Sequence, residues 1–132
     1  MAIQQLHHIN YLVENLDQSI GYFNRLLQQE PVIESLPSRG VNTARYNLNG
    51  VLFILVQPTT ETGVVAEALT QKGEGVFLLS LAVDDLERTI DSLKADDIAI
   101  DNASHRTGLD GWSVCDLSSK TDTRTVIQLC QE

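Results

Sequence analysis

Two adjacent histidines, His7 and His8, open an alternating run near the start of the chain, LHHINYLV. Imidazole nitrogens hold transition metals or carry protons, so the pair raises the question of partners. The only other histidine, His105, lies in the glycine-bearing loop SHRTGLDGW. With Arg106 it could close over a ligand, or it could sit on a plain hairpin. Cys115 and Cys130 are too far apart for a CxxC motif, and each falls in a β-like run. Small, reduced core residues suit that setting better than a nucleophile, for which no basic neighbour is at hand. Asp84-Asp85 and Asp96-Asp97 read as helix ends and turns without ligand spacing. Any metal site must therefore be assembled from residues distant in sequence.

The elements that would assemble it come from one domain of 132 residues, long enough to bury a core without covalent staples. The formal net charge is −9, which argues against nucleic acid as a partner because phosphate binding rests on basic groups. No apolar run approaches the roughly 20 residues needed to span a bilayer. The first residues lack a basic stretch followed by an apolar one, so a cytoplasmic protein is expected, without membrane contact.

A repeat organises the chain. HINYLVENLDQSI (8–20) and LLSLAVDDLERTI (78–90) align with an offset of 70 residues. In each, an alternating strand leads through Val13 or Val83 into a helix. Leu16, Ile20, Phe23 and Leu27 make one apolar stripe; Leu86, Ile90 and Leu93 make the other. Asn15 and Asp85 are suitable N-caps, with Asp17 and Glu87 in the first turns. Strand-like runs follow the first helix at 31–36, 41–48 and 51–58, and the second at 98–101, 111–117 and 124–130. Asn49-Gly50 between two of them is a strong hairpin signal. Residues 61–75 read as a short connector helix ended by Gly73 and Gly75.

Strand, helix and three strands, twice over, resembles the vicinal oxygen chelate superfamily of glyoxalases, ring-cleaving dioxygenases, fosfomycin and bleomycin resistance proteins and methylmalonyl-CoA epimerases. The resemblance spans nearly the whole chain and is nearest to epimerase-like members. It rests on the order and spacing of HHINYLVENLDQSIGYFNRLL, the Gln57-Pro58 strand end, KGEG (72–75) and VDDLERTIDSL (83–93). It implies an α+β domain of two tandem βαβββ modules, forming a curved, cup-shaped mixed sheet with helices outside. Module one would span 1–60, the connector helix 61–75 and module two 76–132.

The resemblance also implies a metal site, with one ligand from the first and one from the last strand of each module. Those positions fall on His8, Ile54, Leu78 and Gln128. Ile54 and Leu78 have no lone pair to donate, and a one-residue slip meets only Phe53, Leu55, Phe77 or Leu79. Stable divalent centres generally use three or four N, O or S ligands, so no metal cofactor is expected. The epimerase-like members use carboxylate bases flanking the metal; the corresponding places hold Gln128 and the neighbourhood of Ser38 and Arg39.

Strand parity adds Asn10, Ser80 and Val126 to the faces of His8, Leu78 and Gln128. Arg39 and Arg45 could bind an anionic ligand group or be solvated, and Trp112 could be pocket wall or core. His8 could be a general base, a ligand contact or a vestigial hydrogen-bonded residue; His7, on the opposite face, reads as structural or surface-exposed. Two functions follow. One is metal-free binding of a small organic molecule by His8, Asn10, Arg39, Arg45, Ile54, Leu78, Ser80, Trp112 and Gln128, as in sequestering or resistance proteins. The other is an isomerase or lyase acting on an acyl thioester or related carbonyl compound, with His8 catalytic. The resemblance further suggests a homodimer.

Overall fold

The computed structural model describes residues 3–117 and 125–132. Arg124, the first residue of the expected last strand, lies outside them. The chain forms two compact units, His8–Phe77 and Met1–His7 with Leu78–Glu132. The connector helix therefore belongs with the first module, and the first seven residues belong with the second.

β1 (Ile3–Leu12), which enters the first unit at His8, leads into α1 (Leu16–Leu27), followed by β2 (Val32–Leu36), β3 (Val41–Leu48) and β4 (Val51–Pro58). The strands lie in the order β2-β3-β4-β1, with β1 parallel to β4 and the other pairs antiparallel. Asn15 caps α1, its side chain accepting the Gln18 amide N–H at 3.0 Å. The stripe Leu16, Ile20, Phe23 and Leu27 then packs on Val13, Ala44, Tyr46 and Leu55. At the other end of α1, the Asn24 amide nitrogen donates to Tyr46 Oη at 2.8 Å and to the carbonyls of Ile20 and Gln29. Burial, with the Glu30 charge adding to it, pushes the Tyr46 hydroxyl pKa up. The Asn49-Gly50 turn has φ of 56° and 100°, as a two-residue hairpin requires. α2 (Val64–Lys72) follows and ends at Gly73.

The second unit repeats the plan. β5 (Gly75–Val83) leads to α3 (Leu86–Ala95), capped by Asp85 accepting from Arg88 N at 3.1 Å. Then come β6 (Arg106–Thr107), β7 (Ser113–Asp116) and β8 (Val126–Gln131). Their order is β5-β8-β7-β6, with β5 parallel to β8. Leu86, Ile90 and Leu93 pack on Val83, Cys115 and Leu129, with Ile3 added from β1. The expected strand at 98–101 is reduced to one bridge, Ile100 to Leu117. Asp97 takes φ 63°, and a 3₁₀ turn begins at Asn102, so too few extended residues remain for a ladder. Fold class and modular plan are thus those expected: α+β, with two βαβββ modules, each a mixed sheet carrying a helix.

Candidate ligand site

Alternation along β1 sorts the first module's candidates. Tyr11 and Val13 pack toward α1, so Asn10 and Leu12 point to the helix-free face. Asn10 pairs with Ile54 and Ile54 with Arg45, so these three form one row across β1, β4 and β3. His8, paired with Leu52, stands in the next row on that face. Ile54 is fully buried and His8 is 4% exposed. Arg45 Nη2 lies 3.0 Å from Glu34 Oε1, so an anionic ligand would have to compete with that carboxylate. Arg39 is exposed on the 3₁₀ turn Pro37–Arg39. Asn10 Oδ1 is buried without a hydrogen-bond partner among the described residues. Leaving such an acceptor unpaired costs about 1–3 kcal/mol, so this carbonyl is suited to receive a ligand's donor.

In the second module the helix-free face carries a polar row. Ser80, Gln128 and Asp116 are in register across β5, β8 and β7. Ser80 Oγ donates to Gln128 Oε1 at 2.8 Å, and Gln128 Nε2 donates to Asp116 Oδ1 at 3.2 Å. Because a carboxylate only accepts, Asp116 fixes which end of the amide faces Ser80. Its other oxygen takes Arg106 Nη1 at 3.4 Å. Leu78, 4% exposed, pairs with Val126 one row away. Cys130, two residues beyond Gln128, has its thiol pKa pushed up to about 11 chiefly by burial, which outweighs the lowering influence of the Ser80 hydroxyl, and the Glu132 charge adds to the rise. It is no thiolate near neutrality.

The remaining candidates lie elsewhere in this module. Trp112 is buried and meets the His7 ring edge-on at 4.4 Å. His7 Nε2 is 3.2 Å from Glu132 Oε1. His7 is thus buried, at 7% exposure, and not on the surface. His105 Nδ1 lies 3.7 Å from Glu87 Oε1 on the exterior. Asp116 was missing from the sequence reading. Alternation in SVCD could have put it on one face with Val114, but its partner in β8 depends on a register that the sequence leaves open.

A family model described as the Glyoxalase/Bleomycin resistance protein/Dioxygenase superfamily matches residues 7–115. The chain belongs to this superfamily. Among solved structures, a hypothetical protein from Bacillus halodurans C-125 is 22% identical, with a TM-score of 0.87 over 97% of this chain and 94% of that one. A methylmalonyl-CoA epimerase variant from Streptomyces coelicolor, in complex with 2-nitronate-propionyl-CoA, is 20% identical, with a TM-score of 0.86 over 99% and 96%. The methylmalonyl-CoA epimerase from Mycobacterium tuberculosis is 22% identical, with a TM-score of 0.85 over 98% and 89%. These likenesses establish a shared fold. No curated protein matches the chain.

The four positions to which the resemblance assigns metal ligands carry few donors. Ile54 and Leu78 are buried aliphatic side chains, and the Gln128 amide is engaged at both ends by Ser80 and Asp116. His8 is the one strong donor type among the four, short of the usual three or four. No helix of the described residues is long and apolar enough to cross a membrane.

Proposed function

We propose that this superfamily member binds a small organic molecule without a metal, against the helix-free faces of its strands. The observation carrying this reading is Gln128: at a ligand position of the superfamily, its amide is committed to Ser80 and Asp116. In the first module Ile54 supplies apolar contact, with His8 and Asn10 as polar anchors; in the second, Leu78 and Ser80 are the equivalent candidates. Arg39 and Arg45 are the outer contacts. The protein would act as a cytoplasmic homodimer. Apolar walls with a few placed polar groups are the usual make-up of small-molecule sites.

A second reading, an isomerase or lyase on an acyl thioester, is favoured by one observation. Asp116 brings a carboxylate into the same row as Gln128. The epimerase of like fold that is solved with 2-nitronate-propionyl-CoA makes acyl-CoA compounds the first class to try.

The test combines elemental analysis of protein grown with Ni, Co, Zn and Mn, mass spectrometry of co-purified ligand, and titration with acyl-CoA thioesters and cationic drugs. Metal below one-tenth equivalent, with binding indifferent to EDTA and at least tenfold weaker in His8→Ala, is the expected result. One tightly held metal per chain would overturn it. Turnover of a thioester by metal-free protein would select the second reading.

A further inference from the structure

On the opposite, helix-bearing side of the first module lies a pocket of about 390 Å³ between α1, β1 and the turn after α2. Its volume falls within the roughly 300–1,000 Å³ of small-molecule sites. The chain has three tyrosines, three phenylalanines and one tryptophan. Tyr11, Tyr22 and Phe23 all line this pocket, together with Glu74. In a chain so poor in aromatic residues, that convergence calls for a reason. Core packing accounts for Phe23, which packs with Tyr11 and Phe53. It does not account for Tyr22, which is 55% exposed.

The rings stand as walls and not as a stack. Tyr22 meets Phe23 at 90° with centroids 5.1 Å apart, and Tyr11 meets Phe23 at 71° and 5.5 Å. Glu74 is held between Gly73 and Gly75, both at positive φ, and its Oε2 accepts the Glu14 amide N–H at 2.9 Å. Its second oxygen accepts no hydrogen bond from the described residues. Among the described residues, no basic side chain lines the pocket. Gln18 and Ser19 of the first turn of α1 also border it. The positive end of that helix does not make it an anion site. The Gln18 N–H is taken by Asn15 and the Leu16 N–H by Gln57.

Aromatic side chains beside an exposed carboxylate attract an organic cation. An aromatic ring binds a diffuse positive charge at its face, and a carboxylate neutralises that charge. We propose that this pocket binds a small alkylated ammonium group, with Glu74 as counter-ion and Tyr22 as the outer wall. The site shares no residue with the metal-free site proposed above and stands without it.

Choline and its uncharged carbon isostere, 3,3-dimethylbutan-1-ol, have nearly the same shape and separate charge from size. Both are titrated into the full chain by calorimetry, with the tyrosine ring resonances followed by NMR. The expected result is saturable choline binding that shifts the Tyr11 and Tyr22 signals and is at least tenfold tighter than binding of the alcohol. Glu74→Gln keeps a carbonyl for the Glu14 N–H and should reduce that preference below threefold. Tyr22→Ala, at an exposed position, should weaken both ligands. Equal affinity for the two ligands, absence of choline binding, or a preference that survives Glu74→Gln would each overturn the proposal.

Discussion

Gln57 at the end of β4 accepts the amide N–H of Leu16 at 2.6 Å, reaching back 41 residues to the first turn of α1. The second module does the same, with Gln131 accepting from Leu86 at 2.7 Å. In both modules the last long strand thus holds the start of the helix that precedes it. The helix N-terminus has donors that nothing within the helix can satisfy, and the strand-end amide satisfies one of them. Gln57→Ala should cost about 1–3 kcal/mol, the penalty of leaving a part-buried N–H unmet. Gln57→Glu should cost far less, because a carboxylate also accepts and is favoured at a helix N-terminus by about 0.3–1 kcal/mol. Urea denaturation of both variants checks the order; equal losses would count against the role given to this bond.

Gln128→Glu would place a second carboxylate beside Asp116, and it should destabilise this protein. The amide donates to Asp116 Oδ1 at 3.2 Å, and the exchange replaces a donor by a second negative charge. About 2–3 kcal/mol should be lost at pH 7. Burial and the Asp116 charge would raise the introduced carboxyl's pKa above its unfolded value near 4. A group with a raised folded pKa leaves stability intact below the unfolded pKa and removes it as pH rises. The deficit against wild type should therefore be small near pH 4 and full near pH 8. Denaturation curves at the two pH values would refute this if the deficit were the same in both.

Cys130 gives a second pH signature. Its thiol is pushed from 9.0 to about 11 in the fold. Above about 9 the unfolded chain loses this proton while the folded chain keeps it, so stability falls as pH rises from 9 toward 11. Cys130→Ala should flatten that part of the curve, whatever its effect at pH 7. In the native protein, iodoacetamide should label Cys130 far more slowly than a free thiol at pH 8, and at the normal rate in urea. Rapid native labelling would mean that the thiol is neither buried nor protonated.

Much of the fold was legible because two periodicities are written plainly. Leu16, Ile20, Phe23 and Leu27 recur at helical spacing, and β3 and β4 occupy the expected 41–48 and 51–58 around Asn49-Gly50. The short run at 98–101 misled, since its apolar residues are anchored by one bridge and a turn on each side. The site was legible as a set of positions, but not as a network. That Gln128 lies beside Asp116 depends on β7–β8 register, and that Glu74 reaches Glu14 depends on closure over 60 residues. Local pattern does not encode either distance.

β1 is one strand divided between two units: its residues up to His7 group with the second module and those from His8 with the first. During synthesis the first module can close once residue 77 has left the ribosome. Ile3, which packs against the cluster of Val83, Leu86, Ile90, Cys115 and Leu129, must wait for it. Residues made before the first module therefore find their place in the second. Shortening β1 from its start should slow completion of the second half, a kinetic burden far along the chain from the truncation.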